Sequence, residues 1–336
     1  MAMTRALLLP LLTFSVLLCP RTAVLEPAQP GGGGRENARS GVRSGKGFTA
    51  RQEPRALSIS ARPAAMPEKR RLGAGLDPRL ADARTFAFAL GAASDDAALA
   101  ELGQYDLVVL DGEAPASFVK ALQDGGVLVL GYLSVGTIER GRPWSRRLEP
   151  YRLELWPDWD EWYAAVDDAE FRRIIMRAVA PRVLKRGFDG LFLDNVDMIE
   201  NHPHQRRGMY RLVRNLSRRV HAAGKLLFAQ NGDEVIRPVA SSLDGWNRED
   251  VTLGYDFESG SYAVRPPEET ARALAALAEL AAQGILVTAT DYLGEHDAGL
   301  EEAALHNACS VGALPFIADI GLTTLPVAPL RCADAE

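Results

Sequence analysis

From about residue 84 onward, short apolar runs alternate with longer amphipathic stretches. The runs are TFAFAL (85–90), YDLVVLDG (105–112), GGVLVLGYLS (125–134), DGLFLDN (189–195), KLLFAQNG (225–232), LDGWNRED (243–250), GILVTATDY (284–292) and LPFIAD (314–319). Most are continuously apolar rather than alternating, as in strands covered on both faces. The segments between them predict helices over 96–101, 116–123, 168–186, 205–223, 267–283 and 300–311. Gly284 follows the fifth of these at a natural helix C-cap position. Roughly eight β-α units in about 250 residues match an α/β protein of the (β/α)8 TIM-barrel type. A doubly wound open sheet is the competing arrangement. It would usually carry a glycine-rich phosphate loop after the first strand, and GAASDDAALAELG lacks the GxGxxG spacing.

The N-terminal portion follows a different pattern. Arg5 precedes an apolar run over 6–18, too short for a comfortable membrane span and suited to a secretory signal peptide over residues 1–23. An uncleaved membrane anchor is the alternative, and it is the one route by which the chain would meet a membrane. Leu17 and Leu18 stand before Cys19, where a lipidated cysteine expects small residues. Residues 24–80 are rich in Gly, Pro, Ser and Arg without apolar periodicity, which predicts a disordered basic linker. The barrel then occupies residues 81–330. A secreted, periplasmic or cell-surface location follows from the leader. Cys309 and Cys332 could pair in such a compartment.

Bulk composition removes several functions. The chain has 336 residues, 47% hydrophobic and 24% charged, with a formal net charge of −6, which gives no reason to expect nucleic-acid binding. Three scattered cysteines, no CxxC and no HExxH leave no zinc cluster, and His202 and His204 beside a proline fall short of a ligand set. No metal or cofactor is expected. There is no GxSxG elbow and no P-loop.

In a barrel the active site lies at the C-terminal strand ends. Those ends carry Asp111 and Glu113, Ser134 and Glu139, Asp194 and Asp197, Gln230 and Asn231, Glu249 and Asp250, Asp291 and Asp319. Turns and helix caps explain any one of these acids. So many on converging strands point to chemistry. Carboxylates without histidines suit glycoside hydrolysis by an acid and a second carboxylate, or magnesium-assisted phosphoryl transfer. Aromatic residues favour sugar: Trp156, Trp159 and Trp162 fall within seven residues, interleaved with Asp158, Asp160 and Glu161. Aromatic faces stack on sugar rings. Three tryptophans so placed cannot all be core, so at least one is expected at the cleft.

GYLSVGTIE, AVDDAEFRRII, GFDGLFLDNVD, QNGDEVI and LDGWNREDV occur in the order of one family. Over roughly residues 84–328 the chain resembles glycoside hydrolase family 114, the endo-α-1,4-polygalactosaminidase-like proteins. The resemblance implies a (β/α)8 barrel and a glycosidase, expected to be monomeric, whose partner is an α-1,4-linked galactosamine-rich polysaccharide. It implies a catalytic pair, the Asp closing the fourth strand and a Glu closing the sixth, here Asp194 and Glu249. Glu249 would be the general acid and Asp194 the nucleophile or its equivalent. Asp189, Asn195 and Asp197 would orient the pair and bind sugar hydroxyls. Gln230 and Asn231 would supply neutral hydrogen bonds, Tyr132, Ser134, Glu139 and Arg142 would line the third strand's mouth, and Asp291 would add a substrate contact. Two features depart from the family pattern. Thr137 stands where Glu is common, and the sixth strand is polar. Either change would alter specificity or leave a non-catalytic carbohydrate-binding protein, the alternative function; a metal-dependent phosphohydrolase is the more distant one.

Overall fold

The computed structural model describes residues 77–333. The leader and residues 24–76 of the linker lie outside the described residues. Strands β1 (Phe86–Phe88), β2 (Leu107–Leu110) and β3 (Leu128–Ser134) come first. A small excursion follows: β4 (Thr137–Ile138), β5 (Arg152–Trp156) and β6 (Glu161–Ala164). The chain continues through β7 (Gly190–Asp194), β8 (Leu226–Gln230) and β9 (Gly245–Glu249). A hairpin of β10 (Leu253–Asp256) and β11 (Ser261–Val264) precedes β12 (Leu286–Tyr292) and β13 (Leu314–Ala318). Eight strands form one sheet in the order β1-β2-β3-β7-β8-β9-β12-β13. Every pair in it is parallel. These are the eight runs expected from the apolar pattern, in chain order. β13 returns beside β1, where the rings of Phe316 and Phe86 meet edge-on at 6.0 Å. The result is the (β/α)8 barrel.

Period-two alternation fills the interior. Phe88 on β1 packs against Phe192 on β7 at 4.9 Å, a contact between strands that are not neighbours, so both rings point inward. Gly245 makes room in the same interior: a Cβ there would lie 2.0 Å from the Phe228 ring. Helices cover the outside. In the helix Arg206–Ala222, Met209, Leu212, Val213, Leu216 and Val220 are buried at helical spacing. Each such side chain contributes about 1.5–3 kcal/mol when fully buried. Leu80, at the end of the expected linker, is also buried in this core.

The helix expected over 168–186 is divided. An α-helical turn over Ala169–Ile174 passes into a π-helical turn over Ile175–Val179 and returns to α over Ala180–Leu184. Pro181 has no N–H to donate, so the regular ladder cannot run through it, and the local register slips. Cys309 and Cys332 are joined in a disulfide across 23 residues, with Cα atoms 5.4 Å apart. Closing a loop of that length stabilises by about 3 kcal/mol in the chain-entropy account. It ties the C-terminal segment to the helix Ala298–Ser310.

The aspartates that begin strands have one structural job. Asp106 accepts from the backbone N–H groups of Arg84 and Thr85 (2.8 and 2.9 Å), Asp189 from Val129 (2.9 Å) and Asp244 from Leu227 (2.7 Å). Each clamps the start of the preceding barrel strand. Asp189 also accepts from Gln123 Nε2 at 2.9 Å. This corrects the expectation that Asp189 serves the mouth. It stands before β7, at the opposite end of that strand from Asp194, with Oδ2 engaged by the Val129 N–H and Gln123 Nε2. Asp189→Ala is therefore expected to lower stability by about 1–3 kcal/mol, the usual cost of a lost charge-assisted bond, with kcat/KM unchanged. A urea melt and a steady-state assay on the same preparation check both halves.

Candidate active site

Strands β7, β8 and β9 each deliver a polar side chain to the mouth and then turn through a left-handed residue. The delivered residues are Asp194, Gln230 and Glu249. The turning residues are Asn195, Asn231 and Asp250, with φ of 58°, 58° and 53°. Asn and Asp enter this region more readily than other non-glycine residues. At Asn195 the turn curls the backbone N–H onto its predecessor's carboxylate, Asp194 Oδ1, at 2.7 Å. Gly136 permits the close approach behind it: a Cβ there would sit 1.8 Å from the Asn195 carbonyl oxygen.

A cavity of about 160 Å³ opens at this end of the barrel. Asp194, Asn195, Asp197, Gln230, Asn231 and Glu249 line one side of it. Tyr132 and Tyr292, the apolar residues Phe88, Leu90, Ile320 and Leu322, and Trp156, Trp159 and Glu161 complete the wall. A larger hollow of about 670 Å³ lies on the outer helical layer. Its charged lining is Arg147, Arg177, Arg182, Lys185 and Arg186, without a carboxylate, so size alone does not mark the site.

Each carboxylate of the expected pair is held by a tyrosine. Tyr132 Oη donates to Asp194 Oδ2 at 2.6 Å, and Tyr292 Oη donates to Glu249 Oε1. Asp194 has three further donors: Gln230 Nε2 at 3.0 Å, the Asn195 backbone N–H, and Asn195 Nδ2 at 3.2 Å. Glu249 has one more, Asn231 Nδ2 at 2.8 Å, and its own N–H donates back to Asn231 Oδ1 at 3.0 Å. Burial raises both carboxyl pKa values, while the hydrogen bonds oppose the shift. Glu249 is pushed up to about 8 by burial first and then by the charge of Asp194.

A neutral chain of hydrogen bonds orients Asp194 from inside the barrel. Asn247 is fully buried. Thr288 Oγ1 and Thr290 Oγ1 donate to its Oδ1 at 2.6 and 3.0 Å, and its Nδ2 donates to Gln230 Oε1 at 2.9 Å. With Oε1 so engaged, the Gln230 amide must present Nε2 to Asp194. This accounts for the polar sixth strand. Asn247 and Glu249 alternate inward, while Trp246 faces the other way and donates Nε1–H to the Asn231 carbonyl at 2.9 Å.

The remaining expected residues divide clearly. Tyr132, Asn195, Asp197, Gln230 and Asn231 line the cavity with the pair. Asp197 precedes the short helix Met198–Asn201 but makes no capping bond. Burial, reinforced by the Asp194 charge, pushes its pKa up to about 7. Ser134, Glu139, Arg142 and Asp291 do not line the cavity, which corrects their expected substrate contacts. Ser134 Oγ is bonded to Thr137 Oγ1 at 2.6 Å and accepts from Asn195 Nδ2 at 3.1 Å. Arg142 is divided between Asp111 and Glu139, at 2.6 Å to each, behind the Tyr132 ring. Asp291 accepts the Thr252 and Leu253 N–H groups at 2.7 and 2.8 Å and anchors the start of β10.

Three contributors escaped sequence reasoning: Tyr292 as a partner of Glu249, Asn247 as a relay, and Glu161 as a wall carboxylate. The inward alternation of TATDY and WNRED is the signal that would have found the first two. Glu161 comes from the antiparallel sheet β4-β6-β5, whose register places Thr137 opposite Tyr163. Thr137 Oγ1 donates to Glu161 Oε2 at 2.6 Å, so a carboxylate reaches this part of the mouth by another route. Of the clustered tryptophans, Trp156 and Trp159 line the cavity, as the aromatic clustering led one to expect of at least one. Trp162 lies between the guanidinium groups of Arg140 and Arg152, at 4.1 and 3.8 Å from its ring centroid.

A carboxylate-rich, aromatic-walled cavity at the C-terminal mouth of a (β/α)8 barrel is the architecture of a glycosidase. Residues 70–323 match the model of Glycoside-hydrolase family GH114, and the chain belongs to that family. It is similar to the glycoside hydrolase domain of PelA from Pseudomonas aeruginosa, at 26% identity and a TM-score of 0.63, covering 75% of this chain and 99% of that one. Aspergillus fumigatus Ega3, solved in complex with galactosamine, shares the fold at 19% identity and a TM-score of 0.58, covering 74% of this chain and 95% of that one. An uncharacterized protein of Deinococcus radiodurans is 27% identical over 243 residues, 66% of this chain and 75% of that protein.

Asn247→Ala would strand the Gln230 carbonyl and two threonine hydroxyls. It is expected to cost about 2–4 kcal/mol of stability, and to lower kcat with little change in KM as Gln230 turns away from Asp194. Folded variant protein with an unchanged kcat would show that the relay does not position Asp194.

Proposed function

We propose that the chain is an endo-acting glycosidase on an α-1,4-linked, galactosamine-containing polysaccharide, with Glu249 as general acid and Asp194 as nucleophile or general base. The observation that carries this reading is the unequal solvation of two carboxyl groups in one cavity. Asp194, with four donors on its two oxygens, is the better-stabilised anion. Glu249, with two donors and a neighbouring negative charge, is the group that keeps its proton near neutrality. A glycosidic bond held between them would receive the Glu249 proton on its leaving oxygen. Asp194, or a water it activates, would meet the developing positive charge at the anomeric carbon.

The substrate class rests on similarity and on charge. The wall of the cavity holds Glu161, Asp194, Asp197 and Glu249 and no Lys or Arg. Such a wall favours a cationic sugar polymer over a neutral or anionic one. The galactosamine bound in the Ega3 structure is in keeping with this. Secretion to a periplasmic or surface location agrees with the leader-like N-terminus and with the Cys309–Cys332 disulfide, since such bonds persist in oxidising compartments. No helix among the described residues is long and apolar enough to cross a membrane. A monomer is the expected working unit.

Asp194→Asn and Glu249→Gln are each expected to lower kcat by on the order of 10²–10⁴-fold on partly de-N-acetylated α-1,4-galactosaminan, read as reducing-end release. Early products should be mixed oligomers rather than monomer. Activity at the parent level in either variant would remove that residue from the mechanism.

The acid must be protonated to act, so kcat/KM is expected to fall about tenfold per unit as pH rises above about 8. Asn231→Ala removes a donor that favours the ionised form of Glu249, so it should move this alkaline limb upward. A limb that stays in place in Asn231→Ala belongs to another group, such as the substrate amine.

A further inference from the structure

We infer that Glu161 is the residue that reads the free amine of the sugar, selecting de-N-acetylated over N-acetylated units. This rests on the glycosidase reading above for the identity of the polymer. Glu161 is the first residue of β6 and reaches the cavity from the excursion sheet rather than from a barrel strand. Its carboxylate is fixed at one oxygen only. Thr137 Oγ1 donates to Oε2 at 2.6 Å, and Thr137 is itself held by Ser134 Oγ at 2.6 Å and by Asn195 Nδ2 at 3.2 Å. Among the described residues Oε1 has no hydrogen-bond partner, and no Lys, Arg or His pairs with the group. Nearby cations are committed elsewhere. Arg142 is taken by Asp111 and Glu139, and Arg140 by Asp160 while it covers the Trp162 ring.

Glu161 is therefore a positioned, half-buried carboxylate without a counter-ion, on the wall that also carries Trp156 and Trp159. Trp156 is braced by stacking on Tyr163 at 5.4 Å, with ring planes 9° apart. Trp159 meets Phe257 of the β10–β11 hairpin edge-on at 5.3 Å. An acid beside aromatic faces suits an ammonium group on a sugar ring. The ring's C–H face stacks, the cation sits well against an aromatic face, and the N–H donors reach the free Oε1. An acetamido group offers one neutral N–H and gains no ion pair. A charge-assisted bond is about twice as strong as a neutral one, which makes the carboxylate a discriminator and not merely a contact.

The test measures binding apart from turnover. Glu249→Gln serves as the parent, and calorimetry compares an α-1,4-galactosamine tetramer with its fully N-acetylated counterpart. The parent should prefer the amine-bearing tetramer. Adding Glu161→Gln should weaken that binding about tenfold or more and leave the N-acetylated tetramer within about twofold. Thr137→Val, which frees the carboxylate from its tether, should fall between the two. Equal losses on both tetramers, no loss on either, or a parent without preference would each overturn the inference. Hydrolysis of the polymer by the unsubstituted chain is scored separately. Its absence alongside amine-selective binding would sink the glycosidase reading while leaving Glu161 as the recognition residue.

Discussion

Two carboxylates held inside a barrel mouth are the constraint around which the rest of the site is arranged. An ionised carboxylate loses several kcal/mol of hydration when it leaves water, unless donors replace the lost solvent. For Asp194 the replacements come from β3, β8 and the turn after β7: the Tyr132 hydroxyl, the Gln230 amide and both nitrogens of Asn195. None of these donors carries a charge. A lysine or arginine beside Asp194 would solvate it as well, but would hold its pKa low and repel the proposed cationic substrate. Neutral donors satisfy the anion while leaving the cavity negative. They also have to be aimed, because an amide offers an acceptor as readily as a donor. That accounts for the buried chain of Thr288, Thr290 and Asn247, which determines which end of Gln230 faces Asp194.

The barrel was legible in the sequence because its signal is local. A parallel strand covered on both faces must be apolar along its whole length, and eight such runs with helices between them leave few alternatives. The inward residues at the strand ends were legible for a related reason, since position along a strand determines the end at which a side chain emerges. GFDGLFLDNVD shows where that logic stops. Its aspartates are chemically alike, yet Asp189 clamps the backbone of β3 at one end, Asp194 is solvated by tyrosine and amides at the other, and Asp197 faces the cavity without capping its helix. What separates them is the neighbouring strand, which local pattern does not name. Counting from the strand start would have placed Asp189 at the wrong end for chemistry.

The excursion between β3 and β7 was the least legible part. Its strands are short, half-exposed and aromatic, and they pair in a small antiparallel sheet of their own, apart from the barrel sheet. Thr137 read alone was a departure from the family pattern. In the fold it is a hydroxyl joining Ser134 and Asn195 to the carboxylate of Glu161. Sequence offered no route to that pairing across 24 residues. Aromatic clustering was a sounder guide, because it asked only that some of these rings be away from the core. Trp156 and Trp159 are, while Trp162 is enclosed between two guanidinium groups.

The two parts of the mouth then divide the work by their origin. Barrel strands hold Asp194 and Glu249 on a hydrogen-bonded frame, which suits the roles proposed for them, since a proton donor and a nucleophile tolerate little displacement. The added sheet contributes aromatic faces and one carboxylate without a counter-ion, groups suited to reading the substrate. Asn195 links the two. Its left-handed turn directs a backbone N–H to Asp194 and its amide to Asp194, Ser134 and Thr137, so one residue touches both the proposed nucleophile and the tether of Glu161. The Glu161 carboxylate is thereby joined to Asp194 through three hydrogen bonds, Glu161–Thr137, Thr137–Asn195 and Asn195–Asp194, at 2.6, 3.2 and 3.2 Å. The same asparagine would then set the spacing between the proposed recognition and cleavage groups in one cavity.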